Sequence, residues 1–171
     1  MNDWLHVFDF DYTLYQTFEL INVWSPRGDA LVNGEPCFQF DPRDFLSYKT
    51  AEDEFINDDS FENFAVIDWD KAIPILPTLS IFENTREKII LTARPQSIEK
   101  YIRQKIKGDF KIIGLGDGAA SSKIKIIKGL SRKVIVYEDS SAVIDLCNQS
   151  GISNAEVKVA SGRCSIQYNL Y

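Results

Sequence analysis

An α/β domain with a mainly parallel sheet is predicted from three observations. Short continuous apolar runs at residues 89–91 and 134–137 have the composition of parallel strands covered on both faces. Segments with apolar residues at helical spacing lie between such runs. The residues able to do chemistry follow directly after the runs, and ligands of open α/β sheets bind beyond the carboxyl ends of the strands.

The first strand is residues 5–8, which lead into Asp9-Phe10-Asp11-Tyr12-Thr13. In a continuing strand Asp9 and Asp11 would share one buried side, where two carboxylates repel and are costly to desolvate. The strand is therefore expected to end there, in a loop that holds a cation. Residues 15–40 are aromatic and turn-rich. Ser25-Pro26-Arg27-Gly28 and Asn33-Gly34-Glu35-Pro36 mark the turns of a hairpin or flap. Asp41 and Pro42 have the residue types of an N-cap and first helical position. Residues 50–63 are acidic and read as a solvated loop, because they lack the ordered ligand spacing of a calcium loop. Pro77 can open a short helix through residue 82 or 83.

From Lys88 onward the pattern is regular. A strand at 89–91 precedes a helix from Pro95 carrying Ile98, Tyr101, Ile102 and Ile106, with Gly108 as its stop. A strand at 110–113 ends in Gly114-Leu115-Gly116-Asp117-Gly118. This run lacks the spacing of a nucleotide fingerprint and reads as a turn that positions Lys123. A helix capped by Ser121 or Ser122 follows, then the strand 134–137. Next come a helix capped by Ser140 or Ser141 and closed by Gly151, a fifth strand at 156–160, and an edge strand formed by the last residues. The whole is expected to be one domain, residues 1–171, with a five-stranded parallel sheet, helices on both faces and a small insert within 15–85.

The 171 residues, 44% hydrophobic and 26% charged, suffice for one real core. Without an apolar run long enough to span a bilayer, and with Asp3 where a secretory leader would be basic, a cytoplasmic location is expected. Three widely spaced cysteines, Cys37, Cys147 and Cys164, form neither a disulfide framework nor a zinc pattern. The net charge of −6 divides unevenly. Residues 1–90 hold 6 basic and 18 acidic side chains, and residues 91–171 hold 13 and 7. The basic half can attract phosphate-bearing ligands or consist of solvated helix faces, and the overall acidity argues against broad nucleic-acid binding.

The strand-end residues suit phosphoryl chemistry. Asp9 can act as a carboxylate nucleophile, with a nearby Mg²⁺ neutralising the accumulated charge. Asp11 can give a proton to the leaving oxygen and later activate water, and can offer its carbonyl to the metal. Thr92 presents a hydroxyl and an amide to phosphate oxygens. Lys123 brings a fixed charge to them, and Asp139 completes the metal set Asp9, Asp11 and Asp139. Arg94 is read either as a substrate contact or as a helix-start surface residue. His6, Trp4, Trp24 and Trp69 are read as packing residues.

In this order the motifs resemble the haloacid dehalogenase superfamily of phosphohydrolases. Asp9-Phe10-Asp11-Tyr12-Thr13 matches its first motif and Leu91-Thr92-Ala93-Arg94 its second. Lys123 stands for the third, and Glu138-Asp139 for the fourth. Glu138 stands where many members have Asp. The resemblance implies a three-layer Rossmann-like core with a minimal cap, a flap plus a short helical insert. It also implies a Mg²⁺-dependent phosphomonoesterase acting through an aspartyl-phosphate. Asp9 would be the nucleophile, Asp11 the general acid/base, and Thr92, Ala93, Arg94 and Lys123 the phosphoryl-binding set, with Glu138 behind the metal ligands. The nearest likeness is to small stand-alone phage and bacterial members, and more distantly to the polynucleotide phosphatase-like domains of RNA-repair proteins. The expected substrates are a phosphorylated small molecule or a nucleic-acid end, in a bacterial or phage-host cytoplasm, without a membrane or stable protein partner. A phosphotransferase, or a non-catalytic phosphate- or metal-dependent binding module on the same scaffold, would use the same residues.

Overall fold

The computed structural model describes residues 4–45 and 47–171, so Asp3 lies outside the described residues. In chain order the strands are β1 (Leu5–Phe8), β2 (Tyr15–Gln16), β3 (Ile21–Trp24), β4 (Ala30–Val32) and β5 (Glu35–Phe40), followed by the short helix α1 (Pro42–Phe45). After two 3-10 turns, Asp58–Phe61 and Asn63–Ala65, come β6 (Ile73–Pro74), α2 (Leu76–Asn84), β7 (Lys88–Thr92), α3 (Glu99–Lys105), β8 (Lys111–Gly114) and α4 (Ala120–Lys128). The chain ends with β9 (Val134–Glu138), α5 (Ser141–Gln149), β10 (Ser153–Ala160) and β11 (Arg163–Asn169). It divides into two compact units. The larger combines the segment up to Thr17 with Ala72–Tyr171, and the smaller is Phe18–Lys71.

The larger unit is a mixed α/β fold around a six-stranded sheet of order β11-β10-β9-β1-β7-β8. Five strands run parallel, as expected, and β11 adds a sixth, antiparallel strand at one edge. β1 sits in the middle, with Phe8 opposite Ile90 on one side and Tyr137 on the other. Alternation along β1 separates the two faces. Leu5 and Val7 join Ile89, Leu91 and Val136 beneath Ile124 and Ile127 of α4 and Val143 and Cys147 of α5. Phe8 points the other way. Its ring stacks on Tyr137 at 4.3 Å and meets Phe82 of α2 edge-on at 5.1 Å. Phe82 meets Phe110 in the same fashion, and the Arg103 guanidinium of α3 lies 4.3 Å from the Phe110 ring. Each aromatic pair adds roughly 1 kcal/mol to the burial of its area. His6 is a packing residue, with Nδ1 3.1 Å from the Tyr137 hydroxyl.

The helix ends are closed in different ways, and α3 ends at Lys105 with Ile106 as C-cap, short of Gly108. Gly151, at φ +63°, closes α5 in a Schellman arrangement, in which Gly151 N donates to Asn148 O and Ile152 N to Cys147 O. Ser140 is the N-cap of α5 by position, without a side-chain bond. α4 begins earlier than its serines suggest. Its N-cap is Ala119, and the Asp117 carboxylate accepts from Ala119 N at 2.7 Å and from the Ser122 hydroxyl. The capping acceptor thus comes from the preceding turn.

The smaller unit holds the antiparallel sheet β3-β5-β4. β4 and β5 are joined by Asn33-Gly34, both at positive φ (53° and 85°), the pair a tight hairpin turn prefers. Asp41 accepts from Arg43 N at 2.9 Å at the start of α1. The acidic stretch is more tied down than a solvated loop. Glu54 accepts from the Tyr48 hydroxyl, Ala51 N and Arg27, and Asn57 and Ser60 form a reciprocal capping box. Cys37 and Cys147 are buried, whereas Cys164, on edge strand β11, is only partly so. Among the described residues no helix is long and apolar enough to cross a membrane.

Candidate active site

The residues singled out in sequence meet at the carboxyl ends of β1, β7 and β9, within the larger unit. Asp9 N donates to Tyr137 O at 2.9 Å, which holds Asp9 in register one step beyond β1. The backbone then turns sharply. Phe10 O accepts from Leu14 N and Tyr15 N, and Tyr12 takes the left-handed conformation at φ +57°. This turn removes the conflict seen in the sequence, because Asp9 and Asp11 no longer lie on one extended strand.

The Asp9 side chain meets Lys123, whose Nζ donates to Asp9 Oδ1 and to Glu138 Oε2, each at 2.7 Å. All three side chains are buried. Lys123 projects from the first turn of α4, and the glycine-rich turn before it is anchored to the loop after β7. Leu115 N, Gly116 N and Asp117 N donate in succession to Thr92 O, Arg94 O and Ala93 O. The turn therefore positions Lys123, as its composition suggested. Gly114 is required there, since a Cβ would lie 2.6 Å from the backbone of Pro95 and Gln96.

Asp11 lies on the other branch. Arg94 Nε reaches both of its carboxylate oxygens, at 2.9 and 3.1 Å, and Nη2 reaches Oδ1 at 2.7 Å. The Thr17 hydroxyl donates to the same Oδ1 at 2.5 Å and receives Arg94 Nη2 at 3.1 Å. Arg94 is fully buried, which removes the surface reading of this residue. Thr92 is also fully buried, and its Oγ1 accepts from Arg94 N at 3.2 Å. Thr17 carried no signal in the sequence, since a threonine six positions past Asp11 belongs to no spacing rule.

Among the described residues, one triad of carboxyl groups could hold a metal ion: Asp9, Glu138 and Asp139, with ligand oxygens within 4.8 Å of one another. Glu138 therefore belongs beside the candidate ligands instead of behind them. The Asp11 carboxylate, committed to Arg94 and Thr17, is not in the triad, and the backbone carbonyl is what Asp11 could offer an ion. Asp145, exposed on α5, is not in it either.

The electrostatics fit a cation. Burial, then the charge of Glu138, pushes the Asp9 carboxyl up to about 8 from the usual 3.8, against the pull of Lys123. Burial and the charges of Glu138 and Asp9 push Asp139 up to about 9. For Lys123, burial works against the charge, but Asp9 and Glu138 outweigh it and hold the ammonium protonated. One ammonium thus faces three carboxyl groups, and burial with their mutual repulsion raises the affinity of Asp9 and Asp139 for protons. A hard divalent ion with oxygen ligands would relieve that repulsion instead, and Mg²⁺ commonly uses one or two carboxylates with water.

Compared with known proteins, the chain matches no family model, no curated protein and no solved structure.

Proposed function

We propose that this protein is a Mg²⁺-dependent phosphomonoester hydrolase of the haloacid dehalogenase type, working through a phosphorylated Asp9. The observation that carries the reading is the buried Asp9–Lys123–Glu138 bridge, at 2.7 Å on both sides, with Asp139 within cation-holding distance of the two acids. A structural ion pair needs one carboxylate per ammonium. Burying a third acid beside it is costly unless a cation or substrate uses the excess charge.

Each side chain then has a distinct role. Asp9 attacks phosphorus through a carboxylate oxygen, forming the aspartyl-phosphate as the ester oxygen leaves. Asp11, aimed by Arg94 and Thr17, gives that oxygen its proton. It takes a proton back from the water that cleaves the acyl phosphate, regenerating Asp9 and releasing inorganic phosphate. Thr92 and Lys123 bind the phosphoryl oxygens, and Lys123 stabilises the charge they gain in the transition state. Mg²⁺, held by Asp9, Asp139, Glu138 and the Asp11 carbonyl, would supply charge neutralisation and orientation of the phosphoryl group.

Phosphorylated nucleic-acid ends and nucleotides are the first substrates to examine, given the basic C-terminal half and the distant likeness to RNA-repair phosphatases. The expected outcome is that Asp9→Asn abolishes phosphate release from p-nitrophenyl phosphate while the circular dichroism spectrum is unchanged. Undiminished turnover by that variant would remove Asp9 as nucleophile. A panel that includes 3′- and 5′-phosphorylated oligonucleotides then ranks the substrates.

A further inference from the structure

A cavity of about 150 Å³ lies wholly within the smaller unit. Asn22 and Trp24, two positions apart on β3, share the sheet face from which it opens. Asn57, Asp59 and Glu62 border it from the 3-10 turns, and Glu35 from the first position of β5. Asn22 is only 2% exposed. Its Oδ1 accepts from Gln39 Nε2 at 3.1 Å, and its amide nitrogen has no partner among the described residues. That nitrogen is not a sealed orphan: the one buried side-chain polar atom left without a partner among the described residues is Thr13 Oγ1. Asn22 itself lines the cavity. Asn57 is fixed as well. Its Oδ1 takes Trp24 Nε1 at 3.0 Å together with the amide and hydroxyl of Ser60, so its –NH₂ is left for another acceptor.

We propose that this cavity is a recognition site for a nucleobase with an exocyclic amine and a carbonyl, guanine or cytosine. The argument rests on size, charge and hydrogen-bond polarity. A volume half that of the smallest drug-sized pockets, ~300 Å³, suits one ring system and excludes a whole nucleotide. Three acidic side chains at the border exclude a phosphate group within it. They do not form a metal site, because the only metal-capable acid cluster among the described residues is Asp9, Glu138 and Asp139. What remains is a ligand whose N–H groups meet carboxylates and whose carbonyl or ring nitrogen meets amide –NH₂ groups. Guanine presents adjacent N–H donors beside O6, and cytosine presents an amine beside its acceptors, an edge that Asp and Glu read.

The proposal stands apart from the phosphoester reading, and its test does not use turnover. The full chain is titrated calorimetrically with guanosine, cytidine, uridine and glucosamine, none of which carries phosphate. Guanosine or cytidine is expected to saturate at millimolar concentration or below, with uridine, which lacks the amine, at least tenfold weaker. Asn22→Leu is expected to weaken the amino nucleoside at least tenfold. Glu35→Gln, at the exposed first residue of β5, is expected to weaken it too, and serves if the Asn22 variant fails to fold. Any one of three results overturns the assignment: no saturation by either amino nucleoside, equal binding of uridine, or saturation by glucosamine alone.

Discussion

Arg94 and Lys123 are both buried cations, and each pairs with one of the two aspartates at the end of β1. Lys123 touches two acids as a point charge, whereas Arg94 lays a planar fork along both oxygens of Asp11. Arg94→Lys keeps the charge but loses the fork, so Asp11 is free to swing. The variant is expected to lose at least tenfold in kcat for p-nitrophenyl phosphate, with KM little changed, and steady-state kinetics decide it. Arg94→Gln removes the charge as well and leaves Asp11 without its cation. Breaking such a pair costs about 3–5 kcal/mol when fully buried. Because Asp11 is 13% exposed, a loss near the lower end, about 3 kcal/mol, is expected in urea denaturation.

Among the elements, the loop after β7 and the turn after β8 act as one piece. Three successive amide-to-carbonyl bonds join them, and Gly114 lets the two backbones touch. Gly114→Ala inserts a methyl where the nearest backbone atoms lie 2.6 Å away, so one strand of the joint must shift. The expected cost is about 1–3 kcal/mol, the range for overpacking. Because Thr92 and Lys123 hang on either side of this joint, phosphate affinity should fall with stability. Gly151→Ala is the contrast. It strains a positive φ at the end of α5 but meets nothing within 4 Å, so stability should fall by about 1 kcal/mol with activity intact. Thermal melts of the two variants beside a phosphate-release assay separate the cases.

At the scale of the whole molecule, stability should depend on pH and on divalent cation together. The Asp9 and Asp139 carboxyls, held at about 8 and 9, ionise later in the folded chain than in the unfolded one. Their contribution is full below the ordinary carboxyl range and is lost as pH rises through about 8 to 9. Metal-free protein should therefore melt at progressively lower temperature between pH 5 and pH 9. Mg²⁺ should reverse the decline, and its effect should grow with pH because the ion binds the deprotonated acids. Scanning fluorimetry in EDTA and in excess Mg²⁺ across that range checks both. A melting temperature that is flat in EDTA, or unmoved by Mg²⁺, would leave the acid triad without a cation role.

What was legible in the sequence was local. Continuous apolar runs marked the parallel strands, the Asn33-Gly34 pair marked its hairpin, and the position of the motifs after strands, or at a helix start for Lys123, placed Asp9, Asp11, Thr92, Lys123 and Asp139 at one end of the sheet. These signals depend on near neighbours in the chain, through backbone geometry and the period of side-chain burial. Tertiary structure alone decided the pairings. The turn at Tyr12 sends the side chain of Asp9 to Lys123 and that of Asp11 to Arg94, and the burial of Arg94 makes it a partner of Asp11 instead of a surface residue. Glu138 joins the acid triad because β9 lies beside β1. Each of these depends on charge and hydrogen-bond energies between residues far apart in the chain, 83 positions for Asp11 and Arg94 and 114 for Asp9 and Lys123. Such energies are set by distance and burial in the folded chain, and spacing along the sequence does not encode them.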